Sequence, residues 1–317
     1  MGPREILLAA IVPTGAALVV LFAAHALLRR TIAPAESDGS ERSAVVPALS
    51  PRLIPALTVL LLAGGTVLGS YAWQSRVELW AEWVTHRVPA LALVALAVGL
   101  LGVLTPARRS AVAAGVLGTL GGSVVAWMIL GALHESHISE ASRWGWIAGV
   151  GLIAGVQSWA IRVGSRALPG WGGPAFIWLL LGNAALGATA GLANAPLVLW
   201  PTAGCAFALA VVGLLRRRED LLAGVSPAIA TVFMGVLAVS HWFGDQERWL
   251  MFGLLAGAPI GLALAAIPAL RSKPLVIRLI PAAVVSLGLA GAQAAMAVPA
   301  LIEATTDSGG DEYYDYE

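Results

Sequence analysis

Long apolar runs separated by short polar breaks make up almost the whole of this 317-residue chain. A helix needs roughly 20 mostly apolar residues to cross about 30 Å of hydrocarbon, and ten runs approach or reach that length. Their mixture of Leu, Ala, Val and Gly suits helices and not the alternating strands of an outer-membrane barrel. The predicted helices cover residues 5–28, 53–73, 88–105, 110–133, 144–163, 174–194, 196–215, 222–242, 249–270 and 279–302.

These runs predict an all-α, polytopic helical bundle that is integral to a membrane, with about ten transmembrane helices. The bundle is expected to occupy residues 1–303. Two segments lie outside the pattern: residues 31–51, rich in Pro, Ser and charge, predict a flexible linker, and residues 304–317 form an acidic tail with three tyrosines. The tail is too polar to bury a core of its own.

Composition supports the bilayer as the solvent of this chain. Hydrophobic residues make up 58% and charged residues 12%, whereas a soluble domain carries about 25% charge. The chain has one cysteine, Cys205, so it forms no internal disulfide. Lysine occurs once against eighteen arginines, a bias that favours a G+C-rich, bacterial coding sequence.

The distribution of charge predicts the orientation in the membrane. If the amino terminus lies outside and the loops alternate, fourteen of the nineteen basic residues fall inside and thirteen of the eighteen acidic residues fall outside. This is the bias that the positive-inside rule describes. We therefore expect a plasma (inner) membrane protein with both termini outside, and we expect Trp127, Trp144 and Trp146 near the outer interface.

The arginine clusters recur at a nearly constant interval. They begin at residues 108, 162, 216 and 271, about 54 residues apart. The interval is typical of a duplicated two-helix unit. The alternative is that two helices with two short loops simply take this length.

The predicted helices contain no central Asp, Glu or Lys. Buried ionisable residues usually mark proton relays, so the pattern argues against a pump driven by buried carboxylates. Arg162 and Arg278 lie near helix ends, where their long stems are expected to reach water. Neutral polar residues inside the helices predict either a substrate lining or interhelical hydrogen bonds; the candidates for a lining are Gln157, Asn183, Gln293 and Thr189.

Glycines and prolines within the helices predict packing sites and breaks. G-x-x-x-G spacing allows two helix backbones to approach closely. It occurs at 65/69, 118/122, 145/149, 151/155, 187/191, 253/257 and 257/261. Prolines inside the predicted helices are expected to kink or interrupt them; they are Pro13, Pro55, Pro201, Pro227, Pro259 and Pro281.

Four histidines fall on the predicted outer face, and neutral imidazole is a common ligand of zinc and copper. They are His86, His134, His137 and His241. His134 and His137 have H-x-x-H spacing, which differs from the H-E-x-x-H of zinc proteases. The alternatives are a metal site and ordinary interfacial histidines.

Three functions fit the sequence. The first is a permease-like protein for a neutral or lipid-like solute. The second is a non-catalytic membrane subunit that contacts a partner through its acidic tail or Gly-rich helix faces. The third is a membrane enzyme with a metal on the outer histidines, which we favour least. No resident cofactor and no nucleic-acid partner are expected, since the chain has no nucleotide-binding motif and no basic footprint beyond the inner arginines.

Overall fold

A computed structural model describes residues 7–32, 45–74, 88–105, 109–131, 138–188, 195–217, 219–243 and 249–307. The protein is all-helical, with 89% helix and, within these ranges, no strand. One α-helix corresponds to each of the ten predicted apolar runs, and several helices extend beyond the predicted bounds. The helices are α1 (Val12–Ile32), α2 (Val45–Gln74), α3 (Val88–Leu104), α4 (Ala111–Leu130), α5 (Glu140–Ala167), α6 (Gly172–Ala188), α7 (Ala195–Leu215), α8 (Ser226–Phe243), α9 (Trp249–Gly257) and α10 (Leu275–Asp307).

Three short helical segments complete the secondary structure of the described ranges. A π-helical turn, Leu7–Ile11, precedes α1, and α9 continues directly into a 3-10 helix, Ala258–Ala266. A single 3-10 turn, Pro268–Leu270, then leads towards α10. Of the predicted linker 31–51, residues 45–51 belong to α2 and residues 33–44 lie outside the described ranges. Of the predicted tail, residues 304–307 belong to α10 and residues 308–317 lie outside them.

Six helical stretches in the described ranges are long and apolar enough to cross a membrane, and four more are shorter. The six are Leu7–Leu28, Arg52–Ala72, Ala111–Leu130, Glu140–Ala167, Val198–Leu215 and Leu275–Gln293. The shorter ones are Pro89–Leu104, Gly172–Ala185, Ser226–Trp242 and Phe252–Ala266. The protein is therefore a helical bundle suited to a lipid environment, in which each backbone polar group must be satisfied within its own segment.

Helix α8 forms the centre of the bundle. It packs against α3, α4, α5, α6, α7 and α9, and every residue from Leu221 to His241 is buried. A helix that is apolar around its whole circumference can be covered by other helices on every side, and α8 occupies that position here. Helices α1 and α10 lie at the periphery: only 28% of the apolar window of α1 and 17% of that of α10 are buried within the chain.

Helices α4 and α5 form the most extensive helix pair, as their G-x-x-x-G spacings predicted. A Cβ atom added at Gly118 of α4 would lie 2.6 Å from the Cβ of Ser158, and one added at Gly122 would lie 2.5 Å from the Cβ of Ala154. The Oγ of Ser158 also donates to the carbonyl of Ala114 at 2.8 Å. The close-packing prediction is thus confirmed at 118/122 and 151/155, whereas the added Cβ atoms at 145/149 meet open space.

Candidate functional site

Polar contacts join arginines from three of the four clusters, those that begin at residues 162, 216 and 271, to neighbouring helices at one end of the bundle. We call this end the arginine end. Arg162 of α5 forms an ion pair with Asp220, which precedes α8. Arg216, after α7, donates through Nε to Nδ1 of His25 in α1 at 2.9 Å. Arg278 of α10 donates to the carbonyl of Ala167 at 2.6 Å. The ends of α1, α5 and α7 and the starts of α8 and α10 therefore meet at this end.

The arginine end corrects one expectation from the sequence. The side chain of Arg162 was expected to reach water, but Arg162 is only 4% exposed. Its Nη1 contacts Asp220 and lies 3.5 Å from the Oγ of Ser165. Asp220 lies in the connection before α8, and only the fold brings it to α5. A buried guanidinium is tolerated because a carboxylate compensates its charge.

Gln157 is the most completely enclosed of the predicted lining residues. Gln157 is 0% exposed, and its Nε2 donates to the carbonyl of Ala256 in α9 at 2.7 Å. The same Nε2 lies 3.1 Å from the Sδ of Met234 in α8. Its Oε1 is buried and accepts no hydrogen bond from the described residues. Gln157 therefore sits at the junction of α5, α8 and α9.

The carbonyl that Gln157 contacts lies where α9 changes its helical form. The α-helix ends at Gly257, and Pro259 is the second residue of the 3-10 helix. Proline has no N–H, so residue 259 donates neither to the carbonyl of Leu255, four residues earlier, nor to that of Ala256, three residues earlier. The amide of Gln157 supplies a donor to Ala256 from a neighbouring helix. The sequence predicted one helix over 249–270 that Pro259 would kink or interrupt, and the change to a 3-10 helix at Ala258 confirms the interruption.

The 3-10 helix also lies very close to α10. A Cβ atom added at Gly261 would lie 3.1 Å from the backbone nitrogen of Ser286 and closer still to its Oγ. That Oγ is buried and has no hydrogen-bond partner among the described residues. The interrupted helix is therefore in contact with α5, through the side chain of Gln157, and with α10, where the small Ser286 lets the two backbones approach closely.

The other predicted lining residues occupy different surroundings. Asn183 donates through Nδ2 to the carbonyl of Leu179 in its own helix, at 2.8 Å, and is partly exposed. Gln293 is 2% exposed, on the buried side of α10. In the described part of the chain no hydrogen bond joins Gln157 to Asn183. Thr189 lies outside the described residues.

The metal hypothesis rests mainly on residues outside the described ranges. His86, His134 and His137 fall there, and His241 alone is described. Its ring centroid lies 5.2 Å from that of Trp242 and 5.0 Å from that of Phe252. Among the described residues no three metal-ligating side chains converge. The ring of His241 is thus packed among aromatic rings, and the metal site stays a prediction.

A cleft of about 350 Å³ lies at the opposite end of the bundle, where α4 ends and α5 begins. We call this the tryptophan end. Ser139 caps α5 there by accepting a hydrogen bond from the backbone nitrogen of Ser142 at 3.2 Å. The residues around the cleft combine aromatic, apolar and charged side chains; they are Trp127, Met128, Gly131, Glu140, Arg143, Trp144 and Ile147.

The sequence pointed to these tryptophans but not to the cleft. Trp127 and Trp144 were predicted at an interface, and they are 50% and 54% exposed. Their convergence requires the close approach of α4 and α5, which the glycine spacing indicated only as packing. Comparison with known proteins adds no relative: no family model, no curated protein and no solved structure matches the chain.

Proposed function

We propose that the protein is a permease-like, multi-pass protein that moves a neutral or lipid-like solute across the membrane. The interrupted helix α9 and its contact with Gln157 carry this proposal. Helices that break inside the membrane commonly frame the substrate sites of transporters, because the break leaves backbone polar groups facing a solute. Here the break exposes the carbonyl of Ala256 to a side-chain amide at 2.7 Å.

The depth of the break fits this role. Gln157 lies ten residues before the last residue of α5, which is about 15 Å along a helix axis. That distance is half the thickness of a bilayer core of about 30 Å. The buried Oε1 of Gln157 and Oγ of Ser286 belong to the two helices that contact the interrupted helix, and neither atom has a partner among the described residues. Polar atoms of this kind suit a neutral solute, which needs hydrogen bonds and no counter-charge.

The proposed orientation follows from the arginine end. Arg162, Arg216 and Arg278 are gathered there by contacts within the chain. The positive-inside rule assigns such an end to the cytoplasm. In this proposed orientation, the start of α1 and the end of α10 lie on the outer side of a bacterial plasma membrane.

A reconstitution experiment tests the function. The purified protein would be placed in liposomes that contain a fluorescent phosphatidylcholine, and a membrane-impermeant reductant would bleach the outer leaflet. Bleaching beyond half of the probe is expected only when protein is present. The Pro259→Ala variant restores an N–H donor to the break and is expected to slow this movement while the fold is retained.

Pro201→Ala is the matched control, because Pro201 is a buried proline inside α7 with no change of helix type around it. It is expected to leave the bleaching rate unchanged. If both substitutions slowed the bleaching equally, the movement of the probe would not depend on the break in α9. Bleaching that stops at half for the wild-type protein would count against movement of a lipid-like solute.

A role as a membrane subunit is the second candidate, and α10 favours it. Val284, Gly288 and Gly291 are exposed on α10, and the added Cβ atoms at both glycines meet open space. Small residues on an uncovered helix let a partner helix approach closely. A stoichiometric protein that copurifies in mild detergent, and is lost from Gly288→Ile but not from Gly253→Ile, would support this reading.

A further inference from the structure

We infer that the cleft at the tryptophan end binds a zwitterionic headgroup, one that joins a phosphate to an ammonium group, as in phosphatidylcholine or phosphatidylethanolamine. The inference rests on the proposed function in one respect: it takes the solute to be lipid-like. It adds a second site, far along α5 from Gln157, and it names the chemistry that this site recognises.

Aromatic walls and an apolar floor give the cleft its affinity for an organic cation. Trp127 and Trp144 are half exposed at its opening, whereas Met128 and Ile147 are 6% exposed. The face of an indole attracts a cation better than any other aromatic side chain, and quaternary ammonium groups are the usual ligands of such sites. A volume of about 350 Å³ lies at the lower end of the range for small-molecule sites.

Two opposite charges on one helix face match the two charges of the headgroup. Glu140 and Arg143 both contact the cleft, and their three-residue spacing places them side by side on α5. The carboxylate of Glu140 would attract the ammonium group. The guanidinium of Arg143 has five N–H donors in a planar fork that fits phosphate oxygens, so it can bind a phosphate in addition to its contacts within the protein.

The surroundings of the cleft favour a lipid over a free headgroup. Below Trp127, one exposed face of α4 presents Val116, Leu120 and Val124, which are 55%, 56% and 44% exposed. These residues follow one another at four-residue intervals, and Trp127 continues the stripe one turn later. A headgroup in the cleft would leave its acyl chains along this apolar stripe, where they would cover the exposed side chains.

Binding is measured on the purified full-length protein in a mild detergent. The readout is the rise in melting temperature as a short-chain phosphatidylcholine, a matching phosphatidylglycerol or glycerophosphocholine is added. We expect phosphatidylcholine to bind at least about fivefold more tightly than phosphatidylglycerol, which has no ammonium group. A fivefold difference corresponds to about 1 kcal/mol, within the range of a cation–π contact.

The variants assign this preference to the cleft. Glu140→Gln and Trp144→Leu are expected to remove the preference for phosphatidylcholine, and Arg143→Gln is expected to weaken both lipids. Glu219→Gln and Arg271→Gln make the same changes at exposed positions of the arginine end. They are expected to leave the binding of both lipids unchanged. Binding of glycerophosphocholine as tight as that of the lipid would show that the site takes the free headgroup.

Failure of this inference can be told apart from failure of the proposed function. Equal binding of both lipids, or a preference that survives Glu140→Gln and Trp144→Leu, would overturn the headgroup site even if the protein moves lipids in liposomes. Selective binding that depends on Glu140, in a protein that moves no lipid, would support the site and reject the movement of a lipid-like solute.

Discussion

The side-chain amide of Gln157 donates to the backbone carbonyl of Ala256 at 2.7 Å, across 99 residues of sequence. The contact joins the middle of α5 to the last turn of α9. Ala256 lies three residues before Pro259, which has no N–H to donate to this carbonyl in the 3-10 register. The side chain of Gln157 thus connects the bundle core to the point where α9 changes into the 3-10 helix.

Replacing Gln157 is therefore expected to destabilise the protein. In Gln157→Leu the carbonyl of Ala256 loses this donor, and the expected cost is about 1–2 kcal/mol, the upper part of the range for hydrogen bonds between membrane helices. The control is Asn183→Leu, which removes a partly exposed amide that bonds only within its own helix. Reversible unfolding in mixed detergent gives both values. Equal losses for the two variants would show that the break does not depend on Gln157.

Two glycines on neighbouring helices are expected to respond to alanine with opposite signs. A methyl group at Gly118 would lie 2.6 Å from the Cβ of Ser158 and 2.8 Å from the carbonyl oxygen of Ala154. We expect Gly118→Ala to cost about 1–3 kcal/mol, as overpacking does.

Gly149 on α5 has nothing within 4 Å of its added Cβ. Gly149→Ala is expected to gain about 0.5–1 kcal/mol, because alanine loses less backbone entropy in a helix. Melting temperatures of the two variants test the pair. A loss of stability at Gly149 would mean that this face is covered by another molecule in the membrane.

The helices were predictable because the bilayer leaves few other solutions. An apolar run of about 20 residues satisfies its backbone polar groups only as a helix, so one helix corresponds to each of the ten runs. The sequence named Pro259 as one of six prolines expected to kink or interrupt a helix, but it could not predict the form of the interruption. The 3-10 helix at Ala258–Ala266 depends on Pro259 together with neighbours from α5 and α10.

The candidate sites were predictable only in part. Gln157 was singled out because a buried amide is costly in lipid without a partner, but its partner is a backbone carbonyl that has no signature in the sequence. Asp220 and Arg162 lie 58 residues apart, and their pairing follows from the way α5 and α8 meet. The cleft likewise requires Trp127 and Trp144 from two different helices.

The ion pair of Arg162 with Asp220 is expected to be important for stability. The side chains are 5% and 20% exposed, so removing one charge leaves the other largely buried. Asp220→Asn is expected to cost about 3 kcal/mol, the lower part of the range for a buried pair. Glu219→Gln is the control, since that exposed partner of Arg216 should contribute less than about 1 kcal/mol.

A double variant, Arg162→Met with Asp220→Asn, should recover part of the loss. No recovery would show that the two charges act separately.

The proposed orientation is tested by labelling single cysteines. The wild-type Cys205 is 2% exposed and is replaced by serine to give a background without thiols. Ala141→Cys at the tryptophan end and Ser272→Cys at the arginine end both place a thiol at an exposed position. An impermeant maleimide added to intact cells should label the first and reach the second only after the membrane is opened. A reporter fused after Glu317 should be active outside the cell. Labelling in the reverse order would invert the bundle and place the arginine end outside, against the charge asymmetry.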